Sequence, residues 1–376
     1  MNFIISSSEL LSHLQSVGRV ISTKNTLPIL DNFLFSIKNK KLTITASDLE
    51  STLITNIDLQ NCEGEAVIAV PAKIIGDILK EFAEQPLTFK IDTEKLHIDI
   101  LSENGKFSVP YQNGSDFPVI PSVKNEQATK ISINPDLFLN GILKTLFATA
   151  DDELRPVMNG IFIELESNEI TFVASDAHKL VRYKRTDVNI SESSSFILPK
   201  KPASLLRNIL PKEKNEVVLE FDEKNAYFTM TDYKLICRLV EGNYPSYNTV
   251  IPTNNPNKLV IDRIDFYNTL KRVSLFSNQA SNLVKLNLSG NQLTLTAQDI
   301  DFSISAHERV TCQYDGEEMD IGFKSTFLLE ILANLASTEI VMELSDPTRA
   351  GILLPHEKEI PEEDVLMLLM PMMINV

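Results

Sequence analysis

The feature that most constrains this chain is a repeat. Phe3-Ile-Ile-Ser-Ser-Ser-Glu-Leu-Leu reads as a short strand running into a helix. Ile131-Ser-Ile-Asn-Pro-Asp-Leu-Phe-Leu has the same shape 131 − 3 = 128 residues later, and Leu259-Val-Ile-Asp-Arg-Ile-Asp-Phe-Tyr follows after a further 259 − 131 = 128. After each apolar triplet comes Ser, Asn or Asp, the residues that best cap a helix N-terminus, and Pro135 sits just inside the second helix start. Leu42-Thr-Ile-Thr-Ala-Ser-Asp is matched by Ile170-Thr-Phe-Val-Ala-Ser-Asp and Leu293-Thr-Leu-Thr-Ala-Gln-Asp, each an alternating strand ending in a polar turn. Val70-Pro-Ala-Lys is matched by Leu198-Pro-Lys-Lys and Ile321-Gly-Phe-Lys, each a strand end followed by an amphipathic helix. Asp116-Phe-Pro and Asn243-Tyr-Pro share a tail. A long period repeated three times makes the chain three copies of one unit.

Each unit is expected to hold two helices and about eight short strands. Strands alternating Thr, Ile, Val and Phe with polar residues bury one face only. Strands that adjoin in sequence and outnumber helices indicate an α+β domain with antiparallel sheets and both helices on one face. Clusters of Pro, Asn and Lys near Val123–Thr129 and Pro252–Lys258 divide the chain into domains at 1–126, 127–255 and 256–376.

No apolar run is long enough for a membrane helix, and the N-terminus has no basic leader, so neither a membrane span nor a signal peptide is expected. Cys62, Cys237 and Cys312 are scattered and form neither a disulfide framework nor a zinc pattern, which fits a reducing cytoplasm. No phosphate-binding glycine loop, nucleophile elbow, metal-binding helix or C-x-x-C pair is present. Asp176-Ala-His178 could be an acid–base pair, but the equivalent turns, Asp48-Leu-Glu50 and Asp299-Ile-Asp301, lack the His, so a structural turn is the simpler reading. Asp151-Asp-Glu153 reads as a solvated acidic loop before a metal site. No metal, cofactor or catalytic residue is expected.

The net charge of −16 argues against holding nucleic acid by bulk attraction, yet it is uneven. Residues 300–376 contain 15 Asp/Glu and 4 Lys/Arg, a net of −11, which leaves −5 for residues 1–299. Lys73, Lys80, Lys200, Lys201, Arg207 and Lys324 fall on or beside the second helix of each repeat, and Arg19, Lys144, Arg263, Lys271 and Arg272 on or beside the first. Two readings stand: ordinary helix solvation, or a phosphate-tracking surface built from equivalent helices that reads no sequence.

The chain resembles the β sliding clamps, the processivity subunits of bacterial DNA polymerase III. The resemblance rests on Thr26-Leu-Pro-Ile-Leu30, Ser47-Asp-Leu-Glu50, Val70-Pro-Ala72, Asp116-Phe-Pro118, Asn159-Gly160, Ser175-Asp-Ala-His-Lys-Leu180, Asn243-Tyr-Pro245, Val250-Ile-Pro252 and Met370-Pro-Met372, in order and across all three repeats. It implies the DNA clamp fold: a head-to-tail homodimer of three-domain protomers forming a six-domain ring around duplex DNA, bound without sequence preference. It further implies a non-catalytic subunit with an apolar pocket for Gln-Leu-x-x-Leu-Phe peptides. These would come from the polymerase III catalytic subunit, the clamp loader, repair polymerases, mismatch repair proteins and ligase.

Carried over, the pocket would use Met158, Ser175, Ala177, His178, Lys179, Leu180, Pro245, Thr249, Val250, Leu368, Leu369, Met370, Pro371 and Met372. DNA would meet Lys24, Lys73, Arg155, Lys200 and Lys201, and the dimer contact would join Lys106 and Phe107 to Leu275 and Phe276, with Asp299 and Asp301 supplying charge. The resemblance places the protein in the cytoplasm, at the nucleoid during replication. A peptide-binding adaptor that does not encircle DNA, or a hydrolase built on Asp176 and His178, are the alternatives.

Overall fold

Why the three strand-to-helix entries fold alike is visible at their caps. In the computed structural model, which describes residues 1–59, 61–120 and 128–374, Ser6 Oγ accepts the Glu9 N–H at the start of helix α1 (Ser7–Val17). The Asn134 side chain accepts the Asp136 N–H (2.9 Å) at α3 (Pro135–Thr145), and Asp262 accepts the Asp265 N–H (2.8 Å) at α5 (Arg263–Ser274). Each cap satisfies a donor that the first turn would leave open. The remaining α-helices of the described residues are α2 (Ala72–Lys80), α4 (Lys200–Ile209) and α6 (Ser325–Asn334), so each repeat carries two. Each repeat adds eight to ten strands, all paired antiparallel where their register is defined.

The chain forms two structural units, residues 1–136 with 204–239, and residues 137–203 with 240–376. Both have the same plan, one nine-stranded and one shorter sheet. The nine-stranded sheet of the first unit joins strands of the first repeat to strands of the second, through Ser51–Asp58 beside Tyr233–Arg238, with Leu53 opposite Leu235. That of the second unit joins the second repeat to the third through Lys179–Arg185 beside Glu363–Leu369, with Val181 opposite Met367. The strand that follows the Asp turn of one repeat thus pairs with the closing strand of the next. Sheet continuity across repeats was not expected from the sequence, which shows where strands lie but not which edges meet. The first proposed boundary, 126/127, lies outside the described residues.

Between sheets and helices lie the cores. Phe3 stacks on Phe89 (centroids 4.9 Å) in the first unit, and Phe138 meets Phe172 edge-on (5.3 Å) in the second. Gly141 in α3 has a steric reason: a Cβ there would come within 2.5 Å of the Phe172 ring. Cys237 is enclosed in its strand, and burial pushes its thiol up to about 12, so it stays protonated and inert. Among the described residues no helix is long and apolar enough to cross a membrane.

Candidate functional site

The second unit gathers the residues of the expected pocket. The hairpin turn Ser175–Lys179 starts it. Ser175 Oγ donates to the Lys179 carbonyl (2.9 Å) and accepts the Ala177 N–H (3.2 Å), while one Asp176 carboxylate oxygen accepts the N–H groups of His178 and Lys179, both at 2.9 Å. Ala177 takes a left-handed φ of 74° at the tip. The first repeat builds the same turn from Ser47, Asp48 and Leu49, whose φ is 76°. Asp176 is therefore a turn-former: its bonds go to the backbone and to Lys179, and the hydrolase reading loses its acid.

The second oxygen of Asp176 takes the Lys179 ammonium at 2.7 Å, and the same ammonium reaches Glu330 at 3.1 Å and lies 4.2 Å from the centre of the Phe327 ring. The His178 ring stacks on the same Phe327 ring, at 5.8 Å between centroids. Burial by itself would raise the Asp176 carboxyl. The Lys179 bond and the two backbone N–H groups outweigh it and hold the carboxyl below its ordinary value.

Leu180 and Leu368 stand opposite each other in the sheet and form one buried cluster with Val173, Tyr247, Ile352 and Leu366. Tyr244, Ile251, Phe162 and Leu354 pack around it, half-buried. Tyr244 stacks flat on Phe162 at 4.8 Å. The Tyr247 hydroxyl donates to Glu164 (2.8 Å), and burial, then that carboxylate, push it up to about 12. Val250, next to Ile251 in the chain, is 57% exposed, and Met370, just past the strand Glu363–Leu369, is 42% exposed. The Met370 N–H donates to the His178 carbonyl (2.8 Å) and the Met372 N–H to Gly322 (2.8 Å), which ties the C-terminal segment beside the turn. Gly322 allows this approach, because a Cβ there would meet the Met372 carbonyl at 2.8 Å.

Of the expected pocket residues, Leu180 and Leu368 are buried in this cluster, and Val250, Met370, Pro371 and Met372 are accessible or half-buried. Pro245, Thr249, Ala177 and His178 are exposed nearby in sequence, and Met158 is buried. Three assignments need correction as lining groups. Leu369 is fully buried and supports the floor from behind, the Lys179 side chain is enclosed in its ion cluster, and the Ser175 hydroxyl is spent on the turn. Phe327, Glu330, Tyr244 and Tyr247 were missed; only the Asn243-Tyr-Pro245 motif pointed toward any of them. In the first unit the positions equivalent to Val173 and Leu180, 173 − 128 and 180 − 128, are Thr45 and Thr52, both buried and polar.

The expected DNA-facing residues are distributed over both units. Lys24 and Lys73 are exposed, and neither has a carboxylate within ion-pair distance among the described residues. Lys73 lines, with Arg19 and Lys80, a groove of about 410 Å³ between α1 and α2. Arg155 and Lys200 are instead paired, with Asp152 (2.8 Å) and Asp151 (2.7 Å), which is also where two carboxylates of the acidic loop go. Lys201 sits half-buried in α4. At the expected dimer contact, Phe107, Leu275 and Phe276 are exposed, whereas Lys106 is paired with Asp99 (2.9 Å). Asp299 is buried with its carboxylate on the Asp301 and Phe302 N–H groups, so the charge expected of it is committed inside its own turn. Ile300 and Phe302, missed by the sequence reading, project from that turn, 79% and 72% exposed.

The fold is that of a clamp subunit, with an apolar cluster around Leu180 and Leu368 and, among the described residues, no group of three or more potential metal ligands. Family models for the DNA polymerase III beta subunit match its N-terminal domain at residues 1–121, its central domain at 132–246 and its C-terminal domain at 248–373. The beta sliding clamp of Proteus mirabilis is 30% identical over 350 residues, covering 92% of this chain and 94% of the relative. That of Pseudomonas putida is 26% identical over 374 residues, covering 99% and 100%. The crystal structure of a sliding clamp from Pseudomonas aeruginosa bound to griselimycin superposes with a TM-score of 0.93 at 25% identity, covering 100% of each chain. A DNA polymerase III beta subunit from Thermotoga maritima reaches 0.91, also at 25% and 100% of each. The chain belongs to the DNA polymerase III beta subunit family, the β sliding clamps, whose members are processivity subunits and not enzymes.

Proposed function

We propose that the chain is one half of a six-domain ring, a head-to-tail homodimer that encircles duplex DNA and tethers the replicative polymerase and other DNA-processing proteins through the cleft around Leu180 and Leu368. The observation that carries this is the count of junctions. Each repeat has one strand after its Asp turn and one closing strand, and two such pairs are joined within the chain. The third repeat's strand Ile304–Thr311 and the first repeat's Lys106–Pro110 are left as sheet edges. One free donor and one free acceptor on the same chain is the pattern of a head-to-tail contact, which closes into a ring. The three matched family segments, residues 1–121, 132–246 and 248–373, support three domains, with the second change of domain nearer 247 than the 255/256 expected from the sequence.

Light scattering should give a mass of about 84 kDa (2 × 42.2 kDa) at micromolar concentration without any loader; a stable 42.2 kDa particle would count against the ring. Retention on DNA tests the encirclement. Loaded protein should stay on a closed circle at high salt and run off once the circle is cut, whereas an adaptor would ignore the cut.

Topological retention removes the need for strong attraction, so the net charge of −16 is compatible with this function. Local cations still matter. Lys24→Ala with Lys73→Ala should lower the slope of log affinity against log salt by roughly one per lost phosphate contact and leave sequence preference absent. A slope equal to that of the wild type would remove both residues from the DNA face.

A further inference from the structure

We infer that the groove between α1 and α2 of the first repeat is a site for unpaired nucleotides, with a base inserted between the helices and its flanking phosphates held by Arg19 and Lys73. The inference deepens the DNA-encircling reading above, on which it rests: it adds a place where single-stranded rather than duplex nucleic acid is held.

The groove is built by the sequence of one repeat. Its floor is apolar: Leu14 and Phe33 are buried there, and Leu11 and Ile21 are half-buried. Gly76 lies in the wall that α2 provides, in the middle of the helix. Glycine is disfavoured in a helix interior. Sterics do not require it here, because a Cβ on Gly76 would find nothing within 4 Å. The missing side chain leaves the groove open. The sheet pairs Pro71, Pro199 and Lys324 equivalently, each just before its helix, so the counterparts of Gly76 are Ser204 and Leu329. The third repeat thus carries a leucine where the first is bare. On the other wall Gly18 lets the end of α1 approach Phe33, since a Cβ there would come within 3.2 Å of that ring.

The charge is as local as the glycine. Arg19, Lys73 and Lys80 are exposed along the groove. Lys80 pairs with Asp77 (3.0 Å), whereas Arg19 and Lys73 have no carboxylate within ion-pair distance among the described residues. The counterparts of Arg19 are Phe147 and Leu275, those of Lys73 are Lys201 and Thr326, and those of Lys80 are Asn208 and Ala333. The third repeat has none of the three cations.

An apolar slot with a free cation on each wall selects its occupant. Duplex DNA keeps its bases stacked inside and presents phosphates and sugars, so it can use the cations but not the floor. An unpaired nucleotide offers an anionic backbone together with a flat base, the combination that single-strand sites use. The backbone supplies an anion on both sides of every base, which two cations flanking one slot match. A peptide supplies that pattern only with acids in a particular order. At about 410 Å³ the groove has the size of a small-ligand site, enough for a base.

The test uses the full-length protein and fluorescent strands ten nucleotides long. Oligothymidylate should bind at low salt, and Gly76→Leu, which fills the groove, should weaken it about tenfold, the contribution of one held base. The variant should melt no lower than the wild type, because leucine favours a helix over glycine. Its retention on a duplex circle should be unchanged. A strand of the same length made of abasic sites keeps the phosphates, and it should bind the wild type about as weakly as oligothymidylate binds the variant. Equal binding of the two strands, or no loss in Gly76→Leu, overturns the base site and leaves a phosphate contact only. Binding of an acidic leucine–glutamate peptide that Gly76→Leu abolishes, with no binding of oligothymidylate, assigns the groove to a protein partner and overturns the proposal. Retention on the circle without oligothymidylate binding removes the groove alone. Oligothymidylate binding that Gly76→Leu weakens, in a protein that leaves an uncut circle, supports the groove while the encircling reading fails.

Discussion

Replacing Val250 and Met370 together by alanine should abolish most of the affinity for a fluorescent Gln-Leu-Ser-Leu-Phe peptide. The peptide's Leu and Phe are expected to cover the open apolar rim above Leu180 and Leu368, contributing on the order of 3–6 kcal/mol before ordering costs. A short flexible peptide loses much of that, which sets the wild-type affinity at roughly micromolar. Removing two exposed anchors at about 1 kcal/mol each weakens binding by about thirtyfold. Val250 and Met370 are the right positions because the protein does not use them for its own packing. Leu180 and Leu368 are buried already, and Leu→Ala there would cost about 2–5 kcal/mol of stability and confuse lost fold with lost binding. Truncation from Met372 is less clean as well, because the Met372 N–H is bonded to Gly322. The double variant should keep the dimeric mass and the melting temperature. Equal affinity in variant and wild type would eliminate this cleft, and no binding to wild type would remove the peptide mechanism.

What could be read beforehand was set by local chemistry. The three caps at Ser6, Asn134 and Asp262 follow from residues two or three positions apart, and they fold as expected. The turn Ser175–Lys179 was legible for the same reason, its Asp and Ser bonding to their own backbone. Contacts between distant segments were not. Nothing near Phe327 or Glu330 in the sequence announces that both surround the Lys179 ammonium, because that meeting depends on α6 lying beside the hairpin. That the apolar cluster of the second unit has polar counterparts in the first was readable in principle: at the 128-residue period Val173 and Leu180 correspond to Thr45 and Thr52, a comparison of single positions within the repeat. The continuous sheets could not be inferred, since strand alternation specifies a face and leaves the neighbouring edge open.

The Lys179 cluster carries the second large effect, on stability. Lys179→Met keeps the aliphatic stem over Phe327 and deletes the ammonium. Asp176, mostly enclosed, is left with backbone donors only, while the half-exposed Glu330 returns to water at little cost. Breaking a buried pair by removing one partner costs about 3–5 kcal/mol, and the access of water to this site reduces that to about 2–3 kcal/mol. The pH dependence identifies the cause. Since the folded-state value of Asp176 lies below its ordinary 3.8, its stabilisation is complete above that value and is lost as pH falls through the lower folded one. Without Lys179 the largest influence lowering that carboxyl is gone, so the variant has less stability tied to Asp176 to lose in acid, and the gap between wild type and variant should narrow as pH falls below 3.8. Denaturation midpoints measured from pH 7 down to pH 3 should show the variant less stable near neutrality, with a shallower acid limb than the wild type. Asp176→Asn, which removes the titrating group, should flatten that limb. If Lys179→Met lowers stability equally at every pH, the ammonium acts by packing and the charge coupling to Asp176 is wrong.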